Sequence, residues 1–188
     1  MGRKDEIRAA VVRIAAEFGA RGVTTSRIAA EVGVSDAAVF KHYGSIEMLI
    51  GATLDEASRT VLDLLPDPGK RTALERIASF LQSLLDLLDA RPGYYRLLFQ
   101  GDLVADSRRL AGKLELIALR LQAEMKNLVL ETVGEGALRA DTDPDRLAMA
   151  LFGCVHAACS ARMLTGRPES VRQAGMAMAR LTIQGSLT

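Results

Sequence analysis

Few side chains in this chain stand at the spacings that catalysis or metal binding would need. The sequence has no GxSxG, GxGxxG, HExxH or P-loop pattern, so the usual signatures of nucleophilic, dinucleotide, zinc-protease and nucleotide chemistry are missing. Asp141, Asp143 and Asp145 cluster, but acidic residues ahead of a helix are what its dipole favours, and no partner acid or base is indicated. Cys154 and Cys159 are five residues apart, which matches no metal or redox spacing. They read as small buried hydrophobes of a reducing compartment. With His42 and His156 as the two histidines, a His-rich metal site is not expected, and His156 reads as a hydrogen-bonded core residue. The sequence therefore points away from an enzyme and calls for no metal or other cofactor.

A sharper spacing lies in TTSRIAAEVGVSDAAVFKHY, residues 24–43, where Gly33 follows Ala29 by four residues and Val39 follows Gly33 by six. A small residue lets two helices cross closely, a glycine makes the tight turn, and a later aliphatic locks the second helix on the first. That is helix-turn-helix logic, and a helix so presented can enter the major groove, where base edges carry a distinct donor and acceptor pattern. Taken alone, the same spacing also suits an ordinary helical hairpin.

The surrounding elements read as helices throughout. Ile7, Val11, Ile14 and Phe18 recur on one face, and Gly19 and Gly22 end that helix. Thr24 or Thr25 caps a helix that runs to Val32, and Ser35 caps another over Asp36–Tyr43. In the latter, Val39, His42 and Tyr43 share a face while Ala37, Phe40 and Lys41 point away. Longer helices follow over about 46–65, 71–89, 94–99, 107–133, 144–164 and 168–183, with Pro66, Pro68, Gly69, Pro92, Gly93, Gly101, Gly134, Gly136, Gly166, Arg167 and Pro168 marking breaks. Asp143 and Pro144 form a clear helix start. Nine helices and no alternating segment make the chain all-α.

Composition agrees. Of 188 residues, 49% are hydrophobic, 25% charged and 4% aromatic, with no tryptophan, so an aliphatic core suited to packed helices is expected and a disordered chain is not. Lys and Arg number 24 against 23 acidic residues, so overall charge announces neither a nucleic-acid nor a membrane partner. The longest charge-free run, Leu147 to Ala161, is shorter than the ~20 apolar residues of a spanning helix, and the N-terminus lacks the apolar core of a signal peptide. The expected location is the cytoplasm, with no membrane association.

From Ile7 to Leu49 the chain resembles the DNA-binding domain of the TetR family of bacterial transcriptional regulators, through AAEFGARGVTTSRIAAEVGVS and then VFKHYGSIEMLI. The resemblance implies an N-terminal three-helix DNA-binding domain with a helix-turn-helix, here 1–48, followed by a larger helical ligand-binding and dimerisation domain, here 49–188. It makes Asp36–His42 the recognition helix, with Ser35 at its start, Ala37, Ala38 and Lys41 as candidates for base or groove contact, and Phe40 and His42 against the DNA backbone. Ala37 and Ala38 can offer apolar contact to a thymine methyl, and Lys41 can reach guanine or phosphate. Asp36 can accept from cytosine or simply favour its helix dipole. Thr25 can offer hydroxyl and backbone N–H to a phosphate, and Arg3 and Lys4 can form an arm. Two departures weaken the match: the family usually has Lys where Ile46 stands, and Tyr is frequent where Phe40 stands. Residues 1–48 carry seven basic and six acidic side chains, which predicts modest affinity with a shallow salt slope, or dependence on two domains acting together.

In the second half, Leu74, Ile77, Phe80, Leu81, Leu84, Leu85, Leu87 and Leu88 cover most of one helix, which must be enclosed on several sides. Phe80, Leu84, Leu88, Tyr95, Leu98, Phe99, Ile117, Leu121, Phe152 and His156 are the side chains expected near a ligand cavity, whose aliphatic lining favours a small hydrophobic ligand. The same spacings suit a filled core. Ala150, Gly153, Ala157 and Ala161 form a small-residue stripe, and Val171, Ala174, Met178 and Leu181 recur on the last helix. Together these suit a four-helix homodimer interface or packing within one chain; the resemblance also places the dimer there. The reading is a ligand-responsive transcriptional regulator, in this family most often a repressor, that binds palindromic double-stranded operator DNA as a homodimer. The alternative is a helical ligand- or partner-binding module whose DNA-binding domain is weakened or vestigial.

Overall fold

The computed structural model describes residues 2–67, 69, 71–100, 107–166 and 170–187. Pro68, Gly101, Arg167 and Pro168, read above as breaks, lie outside them. Among the described residues there are nine α-helices and one short 3-10 turn: α1 Arg3–Phe18, the turn Ala20–Gly22, α2 Thr25–Val32, α3 Asp36–Tyr43, α4 Ile46–Leu62, α5 Ala73–Ala90, α6 Pro92–Phe99, α7 Arg108–Gly134, α8 Pro144–Thr165 and α9 Val171–Gln184. The extended pairing among these residues is a single antiparallel bridge between Leu138 and Leu187. The all-α expectation holds. The ends move by a few residues, and α4 stops at Leu62, short of the Leu65 expected from periodicity.

Local chemistry accounts for the boundaries. Thr24, rather than Thr25, is the N-cap of α2, its hydroxyl accepting from the Arg27 amide at 3.3 Å; Ser35 caps α3 through the Ala38 amide at 3.2 Å. Asp143 caps α8 through the amides of Asp145 and Arg146, with Pro144 in the first turn. Gly33 ends α2 in the left-handed region (φ 70°, ψ 40°), where a side chain would be strained. Ser170 caps α9.

The chain divides into two compact units, 1–60 with 91–117, and 61–90 with 118–188. In the first, α1 buries Ile7, Ala10, Val11, Ile14 and Ala15, α2 buries Ile28 and Ala29, and α3 buries Val39 and Tyr43. Leu49, Leu54 and Ala57 of α4 are fully buried with them. α6 packs on α1 at Gly93, where a Cβ would stand 1.9 Å from the Val12 carbonyl oxygen. No residue but glycine allows that approach.

In the second unit, α5 is the buried element anticipated from its composition, with Ile77, Phe80, Leu81, Leu84, Leu85 and Leu88 inside. It packs against α8 and α9, which also pack on each other. Gly175 of α9 touches Leu85 so closely that a Cβ there would lie 2.6 Å from a leucine methyl. Arg76 pairs with Glu131, and the Glu135 carboxylate accepts from the Ala73 amide at 2.9 and 3.1 Å, tying the start of α5 to the end of α7.

α8 corrects one expectation. It is 22 residues long, and an 18-residue window reaches a mean hydropathy of 1.5, which is enough by length and composition to cross a membrane. Counting the uncharged run alone missed this, because the charged Asp145, Arg146 and Arg162 stand near the ends. One third of that window is buried in the chain; the remainder is mostly small and apolar but also carries the exposed His156 and Arg162.

Candidate nucleic-acid interface

The helix-turn-helix of α2 and α3 is held by polar contacts as well as by its apolar core. The Ser26 hydroxyl donates to an Asp36 carboxylate oxygen at 3.0 Å, joining the first turns of the two helices. Asp36 thus has a partner inside the chain as well as its place in the helix dipole. Arg13 of α1 pairs with Glu31 of α2 at 2.7 Å. Arg27 lies over the Phe18 ring at 4.3 Å from its centroid and donates to the Gly22 carbonyl at 3.0 Å, which fastens the first turn of α2 to the end of α1.

Arg8 is the hub of the domain. Its guanidinium donates to the Tyr43 hydroxyl at 2.8 Å and to Asp5 at 2.6 Å and pairs with Glu56 of α4. Tyr43 in turn donates to the Lys4 carbonyl at 2.9 Å. One buried phenol and one arginine therefore bind α1, α3 and α4 together. Burial works against the charge of Arg8, yet its hydrogen bonds with Glu56 and Tyr43 outweigh this and raise its pKa. Burial raises that of Tyr43, keeping the hydroxyl protonated and able to donate. Asp5 is lowered, first by the hydrogen bond it accepts from the Gly2 amide. None of this network was visible in the sequence, because Arg8 and Glu56 are 48 residues apart and charged pairs on distant helices share no local spacing.

With Val39 and Tyr43 buried, α3 turns Ala37, Phe40 and Lys41 to solvent, as its periodicity required; Ala38 and His42 are half-buried. Phe40 is 43% exposed, a large apolar ring left uncovered by its own chain. Thr25 is half-buried at the start of α2, and Ser35 and Asp36 are exposed. Ile46 is half-buried at the start of α4. Arg3 and Lys4 are a correction: they form no extended arm but the first turn of α1, where Arg3 pairs with Glu6 at 2.7 Å and Lys4 lies 5.8 Å over the Tyr43 ring. Asp5 and Glu6 favour the helix dipole there, so the helix starts earlier than its apolar periodicity shows.

The residues expected around a ligand divide between the units. Tyr95, Leu98, Phe99 and Ile117 belong to the first, where Tyr95 stacks on Phe99 at 5.9 Å. Phe80, Leu84, Leu88, Leu121, Phe152 and His156 belong to the second. Phe80, Leu84, Leu88 and Leu121 are buried and Phe152 half-buried, but His156 is exposed. The core reading of His156 is corrected: Leu147, Leu151, Cys154, Val155 and Ala158 set the inward face of α8, and His156 falls on the other side. That outer side also carries Ala150, Gly153, Ala157 and Ala161, all exposed. On α9, Val171 is buried in its own chain, so it does not share the outer face foreseen for it; Ala174 and Met178 are half-buried and Leu181 is exposed. Cys154 and Cys159 are free and buried.

These features define an all-α protein whose short N-terminal helices present a helix-turn-helix within the first unit, with α5, α8 and α9 in the second. Residues 7–53 match the bacterial regulatory proteins of the tetR family, and residues 73–178, more than half of the chain, match the tetracyclin repressor-like C-terminal domain. The chain belongs to the TetR family. It is 28% identical over 132 residues to the nucleoid occlusion factor SlmA of Idiomarina loihiensis, covering 69% of this chain and 67% of that one. In fold it is similar to the transcriptional regulator FadR of Bacillus subtilis, solved in complex with stearoyl-CoA (TM-score 0.82, 18% identity, 97% and 99% of the chains). It is also similar to the MbdR regulator of Azoarcus sp. CIB (TM-score 0.83, 16% identity, 100% of both chains). The fold is that of a TetR-type DNA-binding regulator.

Proposed function

We propose that the protein is a cytoplasmic, homodimeric transcriptional repressor whose domain 1–48 reads a palindromic operator in the major groove and whose domain 49–188 binds a small hydrophobic ligand that releases it. The observation that carries this reading is the presentation of α3: Val39 and Tyr43 anchor it from within while Ala37, Phe40 and Lys41 are exposed. Lys41 supplies guanine or phosphate contact, Ala37 and Ala38 apolar contact, and Phe40 and His42 border the backbone. Thr25 and Ser35 stand at helix starts, where backbone amides favour phosphate.

Dimerisation through α8 and α9 is supported by their uncovered apolar side. Met149 is 65%, Leu164 83% and Leu181 70% exposed, next to small residues that let a second helix pair come close. A two-fold dimer would then set the two α3 helices about one DNA turn apart, roughly 34 Å or a little more. A ligand that favours another separation lowers operator affinity by a coupling free energy of ~1–3 kcal/mol.

The test is a mobility shift on DNA flanking the gene, at two salt concentrations with excess competitor. Lys41→Ala should weaken the complex, and Ile46→Lys should strengthen it on every sequence and steepen its salt dependence. No specific complex at low salt would favour the vestigial reading instead. A second reading, a role in nucleoid occlusion, draws on the name of the Idiomarina relative. Mapping bound sites across the genome separates a few promoters from a dispersed pattern.

A further inference from the structure

Half-buried cations in the first unit are in general neutralised: Arg8 by Asp5 and Glu56, and Lys113 by Asp55. Arg96, half-buried on α6, is different. Its Nε is shut off from solvent and meets no hydrogen-bond acceptor, and no described carboxylate lies within 4.0 Å of the guanidinium. An arginine cannot shed its proton to escape desolvation, so a partly buried guanidinium without a counter-charge costs stability.

Its surroundings give it a lever. One turn before it, Gly93 lies against the backbone of α1, and Nη1 of Arg96 would be 3.3 Å from a Cβ placed on Gly19, just past the C-terminal end of the same helix. The last turn of α1 carries no basic residue of its own, and its exposed carbonyls amount to roughly half a negative charge. That compensates Arg96 in part. The rest of α6 is aromatic and aliphatic, with Tyr95 stacked on Phe99 and Leu98 and Phe99 half-buried. Local rules are broken most often where a ligand completes the arrangement.

We propose that Arg96 receives the anionic head, a carboxylate or phosphate, of a ligand with an apolar tail. The anion supplies the missing counter-charge. Because α6 is fastened to α1 at Gly93, the occupied and empty states of Arg96 act on the helix that carries the DNA-binding domain. This names the ligand class within the ligand-responsive reading above and rests on it.

The experiment compares decanoate, decyl phosphate and 1-decanol, below their micelle-forming concentrations, on the full chain and on Arg96→Met and Arg96→Lys. Thermal unfolding reports binding, and fluorescence anisotropy reports operator release. Either anion, or both, should raise the melting temperature of the wild type, and decanol should not. Arg96→Met should melt above the wild type without ligand, since an uncompensated charge has gone, yet bind the anions about tenfold or more weakly. Arg96→Lys should keep part of the response. The proposal is overturned if Arg96→Met melts below the wild type, as a structural strut would, or if it binds the anions as well as the wild type does. It is equally overturned if decanol acts like decanoate or if no probe shifts the wild type. In those cases an uncharged compound that still releases the operator would leave the ligand-responsive reading standing.

Discussion

Replacing Gly93 with alanine probes the α1 to α6 crossing directly. A Cβ there would stand 1.9 Å from the Val12 carbonyl oxygen, 2.8 Å from its carbon and 2.9 Å from Cγ1, when real contacts essentially never fall under 3.0 Å. The first of these is backbone and cannot rotate away, so α6 must withdraw by about 1 Å or more from α1. Tyr94, Tyr95 and Leu97, at most 4% exposed, would lose close packing as it moves. Overpacking of this kind costs about 1–3 kcal/mol, and a clash with fixed backbone falls in the upper part of that range, about 2–3 kcal/mol, while alanine returns ~1 kcal/mol of helix propensity. A net loss of about 1–2 kcal/mol lowers the melting temperature by roughly 2–8 °C in a chain of this size. Gly112→Ala in α7 is the control, because nothing lies within 4 Å of its Cβ position and the propensity gain of ~0.5–1 kcal/mol stands alone. Its melting temperature should rise by about 1–4 °C. Both are read by thermal and urea unfolding at one fixed protein concentration, since self-association shifts the midpoint with concentration. If Gly93→Ala matches or exceeds the wild type, the close crossing of α1 and α6 does not exist in solution.

Three further outcomes follow from the same reasoning. Tyr43→Phe strands the Arg8 donor and the Lys4 carbonyl and should lower unfolding free energy by ~1–3 kcal/mol; an unmoved urea midpoint would mean the network is absent. Ala157→Glu, on the exposed side of α8, should turn a dimer into a monomer in sedimentation and weaken operator binding, whereas a persisting dimer would place the interface elsewhere. Cys159, whose pKa is raised to about 12 by burial first and by nearby Asp89 second, should resist iodoacetamide at pH 8 until urea is added. Its ordinary thiol pKa is 9.0, so its stabilising contribution is complete below that and lost as pH climbs toward 12. Rapid labelling of the native thiol, or stability that is flat across that interval, would refute the burial.

What the sequence determined by itself is what depends on neighbours a few positions apart. The caps at Ser35 and Asp143, the left-handed turn at Gly33, and the inward face of α3 through Val39 and Tyr43 follow from local hydrogen bonds, backbone sterics and the helical period. So did the all-α class and the buried face of α5. Tertiary structure decided which charges meet and which apolar faces stay open. Arg8 reaches Glu56, Ser26 holds Asp36, and Arg3 and Lys4 join α1, each through a partner or a dipole that periodicity of apolar residues does not report. The same holds for α8, whose Leu147, Leu151 and Val155 turn inward and leave His156 outside. For Arg96 the decisive fact is an absence among its described neighbours, and a missing partner is legible only once the chain has folded around the place where it would be.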